Sequence, residues 1–143
     1  MGDILYMVIP CYNEQEVLPE TSRQLRAVLH GLISSGKIGG ESRIVFVDDG
    51  SKDGTWQLIE ELHRSDGIYT GIKLSRNRGH QNALLAGLMS SVSRADMMIS
   101  MDADLQDDVA AIEVMVDKYH EGNDIVYGVR SSRQTDTAFK RST

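Results

Sequence analysis

Ile44-Val45-Phe46-Val47-Asp48-Asp49-Gly50-Ser51-Lys52-Asp53-Gly54 is four apolar residues that run straight into a loop of acids, glycines and a serine. A run this short and unbroken reads as a strand buried on both faces, because a half-exposed strand would alternate apolar with polar residues. From Thr55 to about His63 the pattern becomes a helical stripe that buries Trp56, Ile59 and Leu62. Strand, polar loop and amphipathic helix together are the unit from which parallel sheets are built.

The same unit recurs on either side. Ile4 to Ile9 is an apolar run ended by Pro10, followed by a stripe of Val17, Leu18, Thr21, Leu25, Val28, Leu29 and Leu32. Pro19 fits that helix only in its first turn, where a missing N–H costs nothing. A third strand is expected at Tyr69 to Leu74, with a loop from Ser75 to His80 and a helix through Leu84, Leu85 and Leu88. A fourth strand spans Met97 to Met101, its loop Asp102 to Asp108, and its helix carries Ile112, Met115, Val116 and Tyr119. Asp124 to Val129 reads as a fifth strand, and Arg130 to Thr143 is polar, leans basic and shows no period. The chain therefore predicts one α/β domain over residues 1–143, a mainly parallel sheet with helices on both faces.

Composition narrows the function classes. The 143 residues suit a single domain, and 41% hydrophobic with 25% charged residues is a globular mix. Fifteen basic against twenty-one acidic residues give a net charge of −6, which argues against nucleic acid or an anionic lipid surface as a generic partner. One cysteine, Cys11, excludes an internal disulfide and a cysteine-cluster metal site. No apolar run reaches the roughly 20 residues of a membrane span, and the N-terminus lacks a signal-peptide layout. A soluble, reduced, cytoplasmic setting is expected.

In open parallel sheets ligands bind outside the carboxyl ends of the strands. Those ends carry Pro10-Cys11-Tyr12-Asn13-Glu14, Asp48 to Gly54, Arg76-Asn77-Arg78-Gly79-His80-Gln81, Asp102-Ala103-Asp104-Leu105-Gln106-Asp107, and Arg130. Turn and cap chemistry accounts for Ser51, Asp53 and Gly54, but accounts less well for two adjacent acids, Asp48 and Asp49, at the end of a buried strand. Asp107 and Asp108 suffice to favour the start of the next helix, which leaves Asp102 and Asp104 over. Two carboxylates one residue apart, with Gln106 as a neutral oxygen, suit Mg²⁺ or Mn²⁺, which complete their shells with phosphate and water. Arg76, Arg78 and Arg130 are either solvated charges or phosphate ligands, since guanidinium matches phosphate oxygens bidentately. His80 is expected to start a helix, Cys11 to pack without reacting, and the methionines to fill the core. No GxxxxGK[ST] or GxGxxG loop is present, which disfavours a P-loop NTPase or a dinucleotide enzyme. What remains is a site for a nucleoside diphosphate with something attached.

Taken in order, these stretches resemble the family 2 glycosyltransferases of GT-A fold, and within them the polyprenyl-phosphate branch that includes dolichol-phosphate mannosyltransferase and bactoprenol glucosyltransferases. The resemblance rests on Val8 to Glu14, Val47 to Thr55, Leu74 to Asn77, Gly79 to Gln81, Asp102 to Asp107 and Tyr127 to Arg130, and covers essentially the whole chain. It implies that Pro10, Tyr12, Asn13, Glu14, Asp48, Asp49 and Arg76 hold the donor nucleotide. It further implies that Asp102, Asp104 and Gln106 surround a Mg²⁺ or Mn²⁺ ion, with Asp102, Asp104 and Arg130 carrying the catalytic charge. Lys140 and Arg141 would approach the donor or acceptor phosphate. The implied reaction is inverting transfer of a hexose from a UDP- or GDP-sugar to a polyprenyl phosphate, at the inner face of a membrane. A phosphate monoester has a second pKa of about 6, so such an acceptor is ionised at neutral pH and needs little help from a base.

The sequence departs from the family pattern at Arg78, where an aromatic residue is common, and at Asp108-Val109, where Pro-Pro is frequent. Family members commonly continue past this point, so a fragment holding the donor half, able to bind nucleotide without turnover, is an alternative expectation. Two other classes fit less well. A sugar-nucleotidyltransferase would bring a glycine-rich basic loop where Cys11-Tyr12-Asn13-Glu14 stands. A phosphoacceptor signalling domain would place its acids after the first and third strands, not the second and fourth.

Overall fold

A computed structural model of the chain describes residues 2–104, 109–122, 125–130 and 137–142, the last two ranges as backbone strands. The elements run β1 (Leu5–Cys11), α1 (Leu18–Ser34), β2 (Arg43–Asp48), α2 (Thr55–Ser65), β3 (Tyr69–Lys73), α3 (His80–Ser91), β4 (Met97–Ser100), α4 (Ala110–His120), β5 (Ile125–Arg130) and β6 (Thr137–Ser142). Four strands form a parallel sheet in the order β3-β2-β1-β4, with Val8 of β1 in register with Val45 of β2 and Ser100 of β4.

Every residue of β1 is buried, as a central strand covered on both faces requires. Successive side chains point to opposite faces, so Leu5, Met7 and Ile9 meet Leu25 and Leu29 of α1, Ile59 of α2 and Ile112 of α4. Tyr6 and Val8 join Val45, Val47 and Ala83 of α3 on the other side. Helices α1, α2 and α4 thus share one face, and α3 covers the other.

The handedness of crossover connections explains that division. Stepping from β1 to β2 to β3 moves the chain outward in one direction and places α1 and α2 on one face. From β3 the chain returns past β2 and β1 to β4, and a right-handed crossover in the reverse direction puts α3 on the opposite face. The direction of winding reverses between β1 and β4. Connections leave these two strands toward opposite faces, which opens a crevice at their carboxyl ends.

Helix α3 runs through Leu84, Leu85 and Leu88 as expected, and the stripe it buries is Ala83, Gly87 and Ser91. Leu84 and Leu88 are half-buried beside that stripe, and Leu85 is 55% exposed. The cause is close approach: a Cβ on Gly87 would sit 2.4 Å from Val8 Cγ1 and 2.8 Å from Val47 Cγ2. Small residues let the helix lie directly on β1 and β2, and the leucines straddle the contact.

Two further expectations are adjusted. Helix α2 buries Thr55 and Ile59, while Trp56 and Leu62 pack against the core only partly covered. The fifth apolar run is a strand, but it pairs antiparallel with β6 in a separate two-stranded sheet rather than joining the parallel one. A short connection is long enough to close an antiparallel hairpin, whereas a parallel neighbour needs a crossover of a dozen residues or more. Strand β6 was not expected, because Thr137-Ala138-Phe139-Lys140-Arg141-Ser142 shows little alternation of its own.

Helix α1 starts at Leu18 with Pro19 in its first turn, as anticipated. It is tied to the α2–β3 turn by Asp66, which accepts Arg26 Nε at 2.6 Å and the Ile68 N–H at 3.0 Å. Tyr69 adds a buried hydroxyl that donates to Ser22 O at 2.8 Å. The Ile68 amide, followed by the Arg26 guanidinium, holds the Asp66 carboxyl down at about 2.

Substituting Gly87→Val should destabilise the fold by about 1–3 kcal/mol through overpacking, whereas Leu85→Ser should change stability by less than about 0.5 kcal/mol. Urea denaturation of the two variants checks both. Asp66→Asn should cost on the order of 0.2–1 kcal/mol at neutral pH, since the Arg26 pair is exposed. Because the Asp66 pKa is depressed on folding, its contribution is full above about pH 4 and is lost as the pH falls toward 2. The difference between wild type and variant should therefore vanish across that window in pH-dependent melts.

Candidate functional site

Loops from three strands meet at the carboxyl edge of the sheet and are bound to one another chiefly by side chain to backbone bonds. Asn13, with φ of 53°, donates its N–H to Ser51 Oγ and accepts the Lys52 N–H on Oδ1, both at 2.8 Å. The Glu14 N–H reaches Thr55 Oγ1 at 2.9 Å, and Gln15 Oε1 accepts the Gly54 N–H. The first and second loops are thereby one unit.

The third loop is attached through Asp49, which is 3% exposed. Its Oδ1 accepts the Arg78 N–H at 2.6 Å, its Oδ2 the Gly79 N–H at 3.1 Å, and its carbonyl the Asn77 Nδ2 at 3.2 Å. Gly50 makes this contact possible. It adopts φ of +72°, and a Cβ there would lie 2.3 Å from the Asn77 nitrogen. The fourth loop is pinned from two sides: Met101 N–H donates to Val8 O at 3.2 Å, and Thr21 Oγ1 of α1 donates to Ala103 O at 2.5 Å.

A cleft of about 260 Å³ opens where these loops meet, lined by Pro10, Cys11, Tyr12, Glu14, Asp49, Asn77, Gly79 and His80. It lies at the end of β1, where the winding reverses. Tyr12 is 41% exposed and offers an aromatic face at the mouth. Cys11 is buried beneath, and burial, followed by Glu14 and Asp48, pushes its thiol far up, so it stays protonated and packs rather than attacks. Burial also raises the Glu14 carboxyl, and the negative charges of Asp104 and Asp102 raise it further. The charges of the fourth-loop acids, and that of Asp53 in the second loop, are thus felt at Glu14. His80, the first residue of α3, stands beside them, with Nε2 3.4 Å from Asp102 Oδ1.

Of the residues singled out in the sequence, Pro10, Tyr12, Glu14 and Asp49 line the cleft, Asp102 adjoins it through His80, and the charge of Asp104 is felt at Glu14. Asn13 spends its side-chain oxygen on joining two loops. Asp48 lies underneath at 1% exposure, with Oδ1 accepting the Ser51 N–H at 3.2 Å and Oδ2 buried without a hydrogen-bond partner. Arg76 is exposed on the third loop and does not line the cleft. Arg130 ends β5 opposite Thr137, and Lys140 and Arg141 stand opposite Tyr127 and Val126 in the hairpin; nothing beyond their strand positions is described. Gln106 lies outside the described residues. Asn77, Gly79 and His80 enter the site without having been singled out for it. Their signal was position, since they follow a buried strand directly.

The oxygen-only character of Asp102, Asp104 and Glu14 suits a hard divalent cation. Among the described residues no group of three or more His, Cys, Asp or Glu side chains is placed to hold a metal ion by itself. One or two carboxylates with substrate phosphates and water are the usual holding for Mg²⁺, so the donor set fits that mode.

Comparisons with known proteins agree with this geometry. Residues 6–143 match the family described as Glycosyl transferase family 2. An uncharacterized glycosyltransferase, YkoT of Bacillus subtilis, is 55% identical over 140 residues, 98% of this chain and 42% of that protein. The undecaprenyl-phosphate 4-deoxy-4-formamido-L-arabinose transferase of Pseudomonas fluorescens is 40% identical over 94% of this chain and 37% of its own length. The chain thus spans about two fifths of the length of these curated relatives. Among solved structures, S. aureus TarS 1-349 in complex with UDP superimposes with a TM-score of 0.59 at 20% identity, over 82% of this chain and 33% of that one. The mannosyltransferase PcManGT from Pyrobaculum calidifontis in complex with GDP-Man and Mn²⁺ gives 0.57 at 18% identity, over 73% and 28%. A cleft at the winding reversal of a β3-β2-β1-β4 sheet, acids on its border, and a family match over nearly every residue lead to one assignment: the chain belongs to glycosyltransferase family 2.

Proposed function

We propose that this domain binds a UDP- or GDP-hexose with a Mg²⁺ or Mn²⁺ ion and supports inverting transfer of the hexose to a polyprenyl phosphate on the cytoplasmic side of a membrane. The observation that carries this reading is the meeting of the acidic loop with the cleft: Glu14 and His80 line it, and Asp102 Oδ1 lies 3.4 Å from His80 Nε2. Acids concentrated at a ligand crevice call for a counter-cation, and a cation shared with a diphosphate is the economical answer. The relatives named as undecaprenyl-phosphate transferases support the lipid-phosphate acceptor, and the neighbours titled with UDP and with GDP-Man and Mn²⁺ support the donor and metal.

In this reading the nucleoside rests on the first and second loops. Tyr12 offers its ring for stacking a base, and the buried Pro10 stiffens the strand end beneath it. Asp49 holds the third loop in place and bounds the cleft with a carboxylate whose two oxygens accept backbone amides. Asp48 presents a buried, unpartnered oxygen under the same floor, and a donor group of the ligand or an ordered water would satisfy it. Asp102 and Asp104, with Gln106 of the same loop, would hold the ion. A bound divalent cation supplies charge neutralisation for the departing diphosphate. Arg130, Lys140 and Arg141 are the proposed partners of the phosphates. Since the acceptor would arrive ionised, attack needs no base from this part of the chain.

Calorimetric titration of UDP and of GDP, each with Mn²⁺ and with EDTA, tests the reading. One nucleotide should bind only with metal, and Asp104→Asn should weaken that binding by tenfold or more while leaving the thermal midpoint of the metal-free protein within a degree or two. Metal-independent binding of equal strength in wild type and variant would contradict the assigned role of the acidic loop.

A further inference from the structure

His80 has no assigned role in the proposed reaction, yet it occupies a distinctive place. It is the first residue of α3, it lines the cleft, and its Nε2 lies 3.4 Å from Oδ1 of Asp102. The pair joins the third loop to the fourth, across the crevice where the winding reverses. Each half is fixed by anchors that do not involve the other. On the His80 side, Asp49 holds the Arg78 and Gly79 amides, and Gly87 seats α3 against Val8 and Val47. On the Asp102 side, Met101 is bonded to Val8 O and Ala103 to Thr21. The imidazole and the carboxylate are therefore brought together by the fold rather than by their own attraction.

That arrangement has a chemical consequence. A carboxylate that is to hold a cation binds better when one oxygen is fixed by a donor, because its orientation is then set before the ion arrives. We propose that His80 is a positioning residue for the cation site: it donates Nε2–H to Asp102 Oδ1 and so fixes the orientation of that carboxylate beside the cleft. Neutral imidazole serves this purpose as well as imidazolium, so the role does not depend on protonation. The proposal rests on the reading of Asp102 and Asp104 as cation ligands.

The test is Mn²⁺ binding followed by electron paramagnetic resonance, on wild type, His80→Ala, His80→Gln and Asp104→Asn, with thermal melts of each in EDTA. Glutamine carries an amide N–H close to the position of imidazole Nε2, so it can keep the bond. His80→Ala should weaken Mn²⁺ binding by about tenfold, the lower end of the range for residues that orient metal ligands. His80→Gln should recover most of that loss, and the melting midpoints without metal should coincide, because His80 is an exposed helix-start residue. Unchanged affinity in His80→Ala, or an equal loss in His80→Gln, overturns the positioning role while leaving the cation site standing. If wild type and Asp104→Asn both fail to bind Mn²⁺, the cation site falls and this proposal with it.

Discussion

The burial of β1 on both faces is the constraint from which the rest of the molecule follows. A strand with no exposed residue needs neighbours on both edges and helices on both sides. The chain meets that need by winding outward through β2 and β3, then returning to place β4 on the other edge. The return forces α3 to the opposite face, and Gly87 lets it lie close enough to seal Val8 and Val47. Covering β1 in this way leaves a gap at its carboxyl end, because the connections there depart in opposite directions. The site is thus a by-product of how the core is closed.

Electrostatics then gives the carboxylates around that gap different parts. Asp49 is held by two backbone amides and Asp53 by the amides of Thr55 and Gln15, so both tie the loops together. Glu14 lines the cleft, and its carboxyl is raised by burial first and then by the negative charges of Asp104, Asp102 and Asp53. In the proposed function a divalent cation would relieve that pressure on Glu14.

Much of this was legible in the sequence. Four of the strands could be read because each is a short apolar run that ends abruptly in polar residues, and the acidic loop after β4 stood out because Asp107 and Asp108 already sufficed for the helix that follows. Three things were hidden. The face α3 buries is made of Ala83, Gly87 and Ser91, and a stripe of small residues carries no hydrophobic signal, so Leu85 drew attention that belonged to Gly87. The partner of β5 is β6, a strand whose own sequence shows little alternation to announce it. The division of labour between Asp48 and Asp49 depends on where the third loop comes to rest, and that is set by the fit of Gly50 against Arg76 and Asn77. The same applies to Asn13, whose side chain joins loops instead of facing a ligand.

The central proposal is that a divalent cation binds at the β1–β4 reversal. Nuclear magnetic resonance of the ¹⁵N-labelled protein with substoichiometric Mn²⁺ tests it most directly, since paramagnetic broadening reports distance from the ion. Broadening should centre on the amides of Glu14, Asp102 and Asp104, extend to His80, and spare α4. Broadening centred instead on another acidic group, such as Glu113 and Asp117 beside Lys37, would contradict it.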